Sequence, residues 1–121
     1  MKALQGRRVL VVEDEYLIAQ EVSDILEEAG AIVLGPIGWL DEALTFVEVE
    51  GSALTHAVLD VSLHERSSYP IADALKARGV RFVFITGYDG CALAPAYRDF
   101  PRCEKPLRRD AIVAALNSFA S

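Results

Sequence analysis

Hydrophobic positions in this chain fall into two alternating patterns. Short continuous apolar runs occur at Val9-Leu10-Val11-Val12, Ala31 to Leu34, Ala57-Val58-Leu59 and Phe82-Val83-Phe84-Ile85. Runs of this kind read as strands buried on both faces. Between them, apolar residues recur at three- and four-residue spacing, which predicts helices lying on a sheet. The first helix spans Tyr16 to Ala29 with Ile18, Val22, Ile25, Leu26 and Ala29 inward, and Gly30 fits the left-handed position after it. The second, about 39–50, turns Leu40, Ala43, Leu44 and Val47 inward and stops at Gly51. Pro70 suits the first turn of a third helix that buries Ile71, Ala74 and Leu75 and ends at Gly79. A short strand around Arg102-Cys103-Glu104 precedes a last helix, about 107–119, with Ile112, Leu116 and Phe119 on its inner face. Gly35-Pro36-Ile37-Gly38 reads as a turn, and it lacks the Gly-Lys-Ser/Thr ending of a phosphate loop. Trp39 is expected to pack at the start of the second helix.

Strand–helix alternation over this length implies one parallel sheet covered on both faces. Right-handed crossovers leave few strand orders. The expectation is a flavodoxin-like three-layer α/β sandwich with a five-stranded parallel sheet of order 2-1-3-4-5. About five helices accompany it, the fourth short or irregular. In that order the ligand crevice lies at the carboxyl ends of the first and third strands.

Composition narrows the class. A chain of 121 residues, 52% apolar and 25% charged, suits one ordinary globular domain, taken as residues 1–121. No apolar stretch approaches the roughly 20 residues of a membrane helix. The start lacks the apolar region and cleavage site of a signal peptide, so a complete cytoplasmic protein is expected. Net charge is −6 with scattered basic residues, which argues against nucleic acid as a direct partner. Cys91 and Cys103 are too few for a disulfide framework or a zinc site.

The strand ends carry the chemistry. The first runs into Glu13-Asp14, the third ends on Asp60, the fourth on Thr86-Gly87, and the fifth on Lys105-Pro106. Two carboxylates about 4 Å apart repel by roughly 4 kcal/mol at an effective dielectric near 20. Mg²⁺, which takes one or two carboxylates, waters and a phosphate oxygen, would offset that repulsion. A rigidly held carboxylate such as Asp60 can act as a nucleophile toward phosphorus. Thr86 and Lys105 can hold phosphoryl oxygens. His56 and His64 are assigned structural or solvated roles, and Glu15 is read as an exposed acid.

These residues, in this order, resemble the receiver domains of bacterial two-component response regulators over essentially the whole chain. Val-Leu-Val-Val-Glu-Asp-Glu at 9–15 resembles the first strand and acidic pair of that family, and Ala-Val-Leu-Asp-Val at 57–61 its phosphoacceptor strand. Thr86-Gly87 and Lys105-Pro106 resemble its switch hydroxyl and its lysine before proline, usually in a cis peptide. The resemblance implies phosphoryl transfer from a histidine kinase to Asp60, with Mg²⁺ held by Glu13, Asp14, Asp60 and the carbonyl of Ser62. It implies a signalling protein that catalyses only its own phosphorylation and dephosphorylation, as a monomer or weak dimer.

Phe84-Ile85-Thr86-Gly87-Tyr88 is similar to the Phe-Ala-Thr-Gly-Tyr signature of a subgroup common as single-domain proteins in alphaproteobacteria, with Ile85 in place of alanine. The loop Glu-Arg-Ser-Ser-Tyr-Pro at 65–70 also resembles that subgroup. It implies kinases of the HWE or related families, and output through protein contacts or as a phosphate sink. The span from Tyr88 to Phe100 is expected to be a poorly helical switch, because Gly90, Pro95 and Pro101 interrupt it. Arg102 stands three before the lysine, where the family often has an aromatic switch residue; Tyr88 is then the nearest aromatic candidate. Two alternatives stay open: a pseudo-receiver that binds partners unphosphorylated, and a flavodoxin-like cofactor-binding protein.

Overall fold

The computed structural model describes residues 2–87 and 93–117. In chain order the elements are β1 (Arg8–Val12), α1 (Tyr16–Glu28), β2 (Ile32–Ile37), α2 (Leu40–Glu50), a 3₁₀ turn (Gly51–Ala53) and β3 (His56–Asp60). Then follow β4 (Ser62–Leu63), β5 (Arg66–Ser67), α3 (Tyr69–Ala77), β6 (Arg81–Thr86), a 3₁₀ turn (Pro95–Tyr97), β7 (Arg102–Glu104) and α4 (Arg109–Asn117). Five of the strands form one parallel sheet of order β2-β1-β3-β6-β7. That is the doubly wound order read from the pattern, with the small antiparallel β4–β5 hairpin inserted after its third strand.

Alternation along the buried strands sorts side chains to two cores. Leu10, Val12, Ala57, Leu59, Phe82 and Phe84 meet α2 and α3 through Ala43, Val47, Ile71 and Leu75. Val9, Val11, Val58, Val83 and Ile85 meet α1 and α4 through Val22, Leu26, Ile112 and Leu116. Because both faces are covered, the central strands β1, β3 and β6 read as near-continuous apolar runs. Gly30 and Gly79 follow their helices at φ +95° and +74°, whereas Gly51 is right-handed and opens the 3₁₀ turn. Among the described residues no helix is long and apolar enough to cross a membrane.

One expected element is wrong. Gly35-Pro36-Ile37 is not a turn but the last part of β2. From Leu10 to Val12 β1 advances two residues while β2 advances three, from Leu34 to Ile37, so a bulge absorbs the extra residue. Gly35 takes φ +91°, where a Cβ would meet the Val11 carbonyl oxygen at 2.9 Å. Pro36, after a cis peptide, is tolerated because β2 is an edge strand. The bulge delivers Ile37 to pair with Val12, and the Glu13 N–H then bonds the Ile37 carbonyl.

Four α-helices lie among the described residues. Of the segment where a further one was expected to be short, the described residues 93–100 hold the Pro95–Tyr97 turn, with Leu93 buried and Tyr97 and Phe100 packed on the first core. Tyr88, Gly90, Cys91 and Phe119 lie outside the described residues. Leu107, expected in the last helix, precedes it.

Candidate functional site: an acidic pocket at the strand ends

β1 and β3 are neighbours, so the residues that leave their carboxyl ends converge. Glu13 and Asp60 are both buried, at 3% and 8% exposure, and Asp14 is partly buried. One carboxylate oxygen from each of Glu13, Asp14 and Asp60 lies within 4.8 Å of the others. Lys105, entering from the turn after β7, places its Nζ 3.1 Å from Glu13 Oε1 and 3.2 Å from Asp60 Oδ2. The Asp60 contact has hydrogen-bond geometry; the Glu13 contact is an ion pair only, which leaves Oε1 without a hydrogen-bond donor. The Lys105-Pro106 peptide is cis, and the Lys105 N–H bonds the Thr86 carbonyl at 2.7 Å.

One ammonium contacts two of the three clustered acids, and the ionisation of the group reflects that deficit. Burial, then the adjacent Asp60, pushes the Glu13 carboxyl up to about 9. Burial would lower the Lys105 ammonium, but Asp60 and Glu13 outweigh it and raise it. Burial would raise Asp14, yet the N–H of His64 and the neighbouring Glu13 hold it below its ordinary value. The pocket is short of positive charge. A divalent cation fits that donor set, which is hard oxygen throughout.

The remaining expected residues sit beside these. Ser62 donates its N–H to Asp60 Oδ1 at 3.2 Å. Thr86 ends β6 with its Oγ1 buried and without a hydrogen-bond partner. A buried hydroxyl left so costs about 1–3 kcal/mol unless something accepts from it or donates to it. Next to the pocket, Glu15, Ile18, Glu21, Gly87, Lys105, Pro106 and Leu107 line a cleft of about 430 Å³. Glu15 is exposed, and its N–H bonds Glu13 Oε2 at 3.2 Å. His56 is buried on β3 and accepts no part in the site; its Nδ1 lies 2.9 Å from Thr55 Oγ1.

His64 reaches the pocket, and Trp39 supports it from outside. His64 donates its backbone N–H to Asp14 Oδ2 at 2.8 Å, and Trp39 stacks on the His64 ring. Trp39 is 59% exposed rather than packed against α2. His64 and Glu65 form the two-residue loop between β4 and β5 at φ +48° and +68°. A type I′ turn of this sort normally carries Asn-Gly. Each L-residue held left-handed costs roughly 1–2 kcal/mol. Burial of Leu63 and the Trp39 stack, about 0.5–1.5 kcal/mol, help to offset that strain. No Gly or Asn in the loop announced a hairpin, so it read only as polar.

The comparisons agree with this architecture. No protein-family model matches the chain. A solved structure of SdrG from Sphingomonas melonis Fr1 is 38% identical, with a TM-score of 0.81 over 96% of this chain and 98% of that one. The BeF3-activated conformation of SdrG from Pseudomonas melonis Fr1 is 35% identical, with a TM-score of 0.77 over 94% and 96% of the two chains. A response regulator receiver domain protein from Clostridium thermocellum shares the fold, with a TM-score of 0.81 at 21% identity over 93% and 92%. The chain therefore belongs to the response-regulator receiver domains. Among curated proteins, the transcriptional regulatory protein PdtaR of Mycobacterium tuberculosis (strain ATCC 25618 / H37Rv) is 29% identical over 94 residues, 77% of this chain. The match spans 45% of PdtaR, so this chain accounts for about half of that relative.

Proposed function

We propose that the chain accepts a phosphoryl group on Asp60 from a histidine kinase, with Mg²⁺ held by Glu13, Asp14, Asp60 and the carbonyl of Ser62. The observation that carries this reading is the charge-deficient cluster of Glu13, Asp14 and Asp60, two of them against Lys105. Mg²⁺, when bound, supplies positive charge opposite the phosphoryl oxygens. An Asp60 oxygen forms the new O–P bond as the P–N bond of the kinase phosphohistidine breaks, and the leaving imidazole takes up a proton. Asp60 is held for this by Lys105 on one oxygen and the Ser62 N–H on the other. Thr86 has an unengaged hydroxyl to donate to a phosphoryl oxygen. The catalysis extends only to the protein's own phosphorylation and dephosphorylation.

Residues 1–121 act on this reading as one receiver domain of the Phe-Ala-Thr-Gly-Tyr subgroup, with a kinase of the HWE or a related family as donor. The Phe84-Ile85-Thr86-Gly87 sequence and the Glu-Arg-Ser-Ser-Tyr-Pro loop at 65–70 support that placement. Output passes through protein contacts or through draining phosphate from a sister regulator. The intact set of Glu13, Asp14, Asp60, Thr86 and Lys105 disfavours a pseudo-receiver. Three acids after β1 disfavour a flavin phosphate there.

Incubation with acetyl phosphate, with and without Mg²⁺, followed by intact mass measurement, tests the assignment. Wild type should gain one phosphoryl group, and Asp60→Ala or chelator should abolish it. Equal labelling of wild type and Asp60→Ala overturns it.

A further inference from the structure

Lys105 pairs with Glu13 and Asp60, but among the described residues no ion pair joins it to Asp14. Asp14 is held from the other side. The His64 N–H reaches its Oδ2 at 2.8 Å, and His64 Nδ1 lies 4.0 Å from the same oxygen. Trp39 covers the His64 ring with centroids 3.7 Å apart and planes inclined by 13°. Three chain segments, after β1, after β2 and after β3, thus meet at one carboxylate. The residue that carries the N–H is left-handed without being glycine, so it stays there only while its surroundings oppose relaxation. Leu63 anchors one side of the turn in the core, and the indole supports the other.

We infer that Trp39 and His64 are positioning residues: the Trp39–His64 stack holds the β4–β5 turn so that its N–H fixes the Asp14 carboxylate for metal binding. This rests on the Mg²⁺ reading above. Without the stack the turn relaxes and the peptide carrying the N–H leaves Oδ2. Asp14 then samples several rotamers, and part of the binding free energy goes to ordering it. Fixing the carboxylate beforehand avoids that cost. Because Trp39 is more than half exposed, its loss leaves the two cores untouched.

Two measurements test this by NMR. In metal-free protein, Trp39→Ala and His64→Ala should each speed exchange of the residue-64 amide about fivefold, the equivalent of losing one aromatic contact. In a Mg²⁺ titration followed by amide shifts, both variants should raise the Mg²⁺ Kd by about the same factor. Trp39→Phe, which keeps an aromatic face, should recover most of both losses. In an Asp14→Asn background, Trp39→Ala should raise the Kd no further. Unchanged amide exchange and Kd in both alanine variants, with wild type binding Mg²⁺, overturn the inference and leave the phosphoacceptor reading standing. A wild type that ignores Mg²⁺ overturns both.

Discussion

The Lys105 ammonium lies 3.2 Å from Asp60 Oδ2 and within ion-pair distance of Glu13. The same nitrogen therefore contacts two of the three acids to which the proposed Mg²⁺ binds. On the proposed reading, cation and lysine would compete for the carboxylates even as both contact a phosphoryl group.

That competition has a testable sign. Lys105→Met removes one positive charge beside the cluster, so Mg²⁺ should bind more tightly, by about tenfold for roughly 1.4 kcal/mol of relieved repulsion. Phosphorylation by acetyl phosphate should nevertheless slow by more than about tenfold, through loss of a charge-assisted contact to the phosphoryl group. Weaker Mg²⁺ binding in the variant would instead give Lys105 an organising role.

Glu13→Gln separates stability from metal binding. With its carboxyl pushed up to about 9, Glu13 carries a proton at pH 7 in the metal-free pocket, and glutamine mimics that neutral form. Urea unfolding of the metal-free variant should match wild type within about 1 kcal/mol. Wild type should gain about 2.7 kcal/mol at a Mg²⁺ concentration one hundred times its Kd, and the variant should gain almost none. Full Mg²⁺ stabilisation of Glu13→Gln would remove Glu13 from the ligand set.

His56 gives the protein an acid sensitivity unrelated to phosphoryl chemistry. Burial, then the charges of Arg7 and Arg81, lowers its pKa from 6.5 to about 4. The folded state thus holds His56 neutral where the unfolded chain protonates it, so its contribution is intact above about pH 6.5. It is lost progressively as the pH falls toward 4. Between pH 7 and pH 5 the expected loss is about 2 kcal/mol. Glu13 titrates with the opposite slope over that range, because the folded state keeps a proton that the unfolded chain gives up. Comparing wild type with His56→Gln cancels that contribution. The two proteins should differ less at pH 5 than at pH 7, by about that amount; a gap that does not change with pH would mean that folding leaves the His56 pKa where it is in the unfolded chain.

Legibility followed the range of the interactions involved. Buried parallel strands and their charged ends are local patterns, so β1, β3 and β6 and the residues Glu13, Asp14, Asp60 and Thr86 could be read directly. The β2 bulge could not, because Gly-Pro is a turn signal on its own and becomes strand only through pairing of Ile37 with Val12. The β4–β5 hairpin was hidden for the same reason. Its His-Glu turn is disfavoured locally and held by Trp39 and Asp14, which lie 25 and 50 residues away in sequence. Trp39 does stand at the start of α2, as read, but nothing near it in sequence announces the His64 ring on which it stacks.

Residues 93–100, just before β7, are held chiefly by aromatic side chains. Residues 93–100 hold one 3₁₀ turn, and a single turn has no stability of its own. Aromatic contacts supply the order. Tyr97 stacks on Tyr69 with centroids 4.0 Å apart and planes 2° apart, and its hydroxyl donates to Asp73 Oδ1 at 2.9 Å. The Tyr69 hydroxyl accepts the Ala94 N–H at 2.7 Å, and Phe100 meets Phe82 at 4.8 Å beneath the Lys76 ammonium. All these ties run to α3 or β6, so the segment can release without disturbing the rest of the sheet. Tyr69→Phe should cost about 1 kcal/mol through one lost hydrogen bond. Tyr97→Ala should cost about 2 kcal/mol, and amide exchange should rise chiefly in residues 93–100. If the segment is a switch, beryllofluoride should raise exchange there in wild type and add little in Tyr97→Ala, where the latch is already open. Strong protection of 93–100 in Tyr97→Ala, equal to wild type, would show that the stack does not hold the segment.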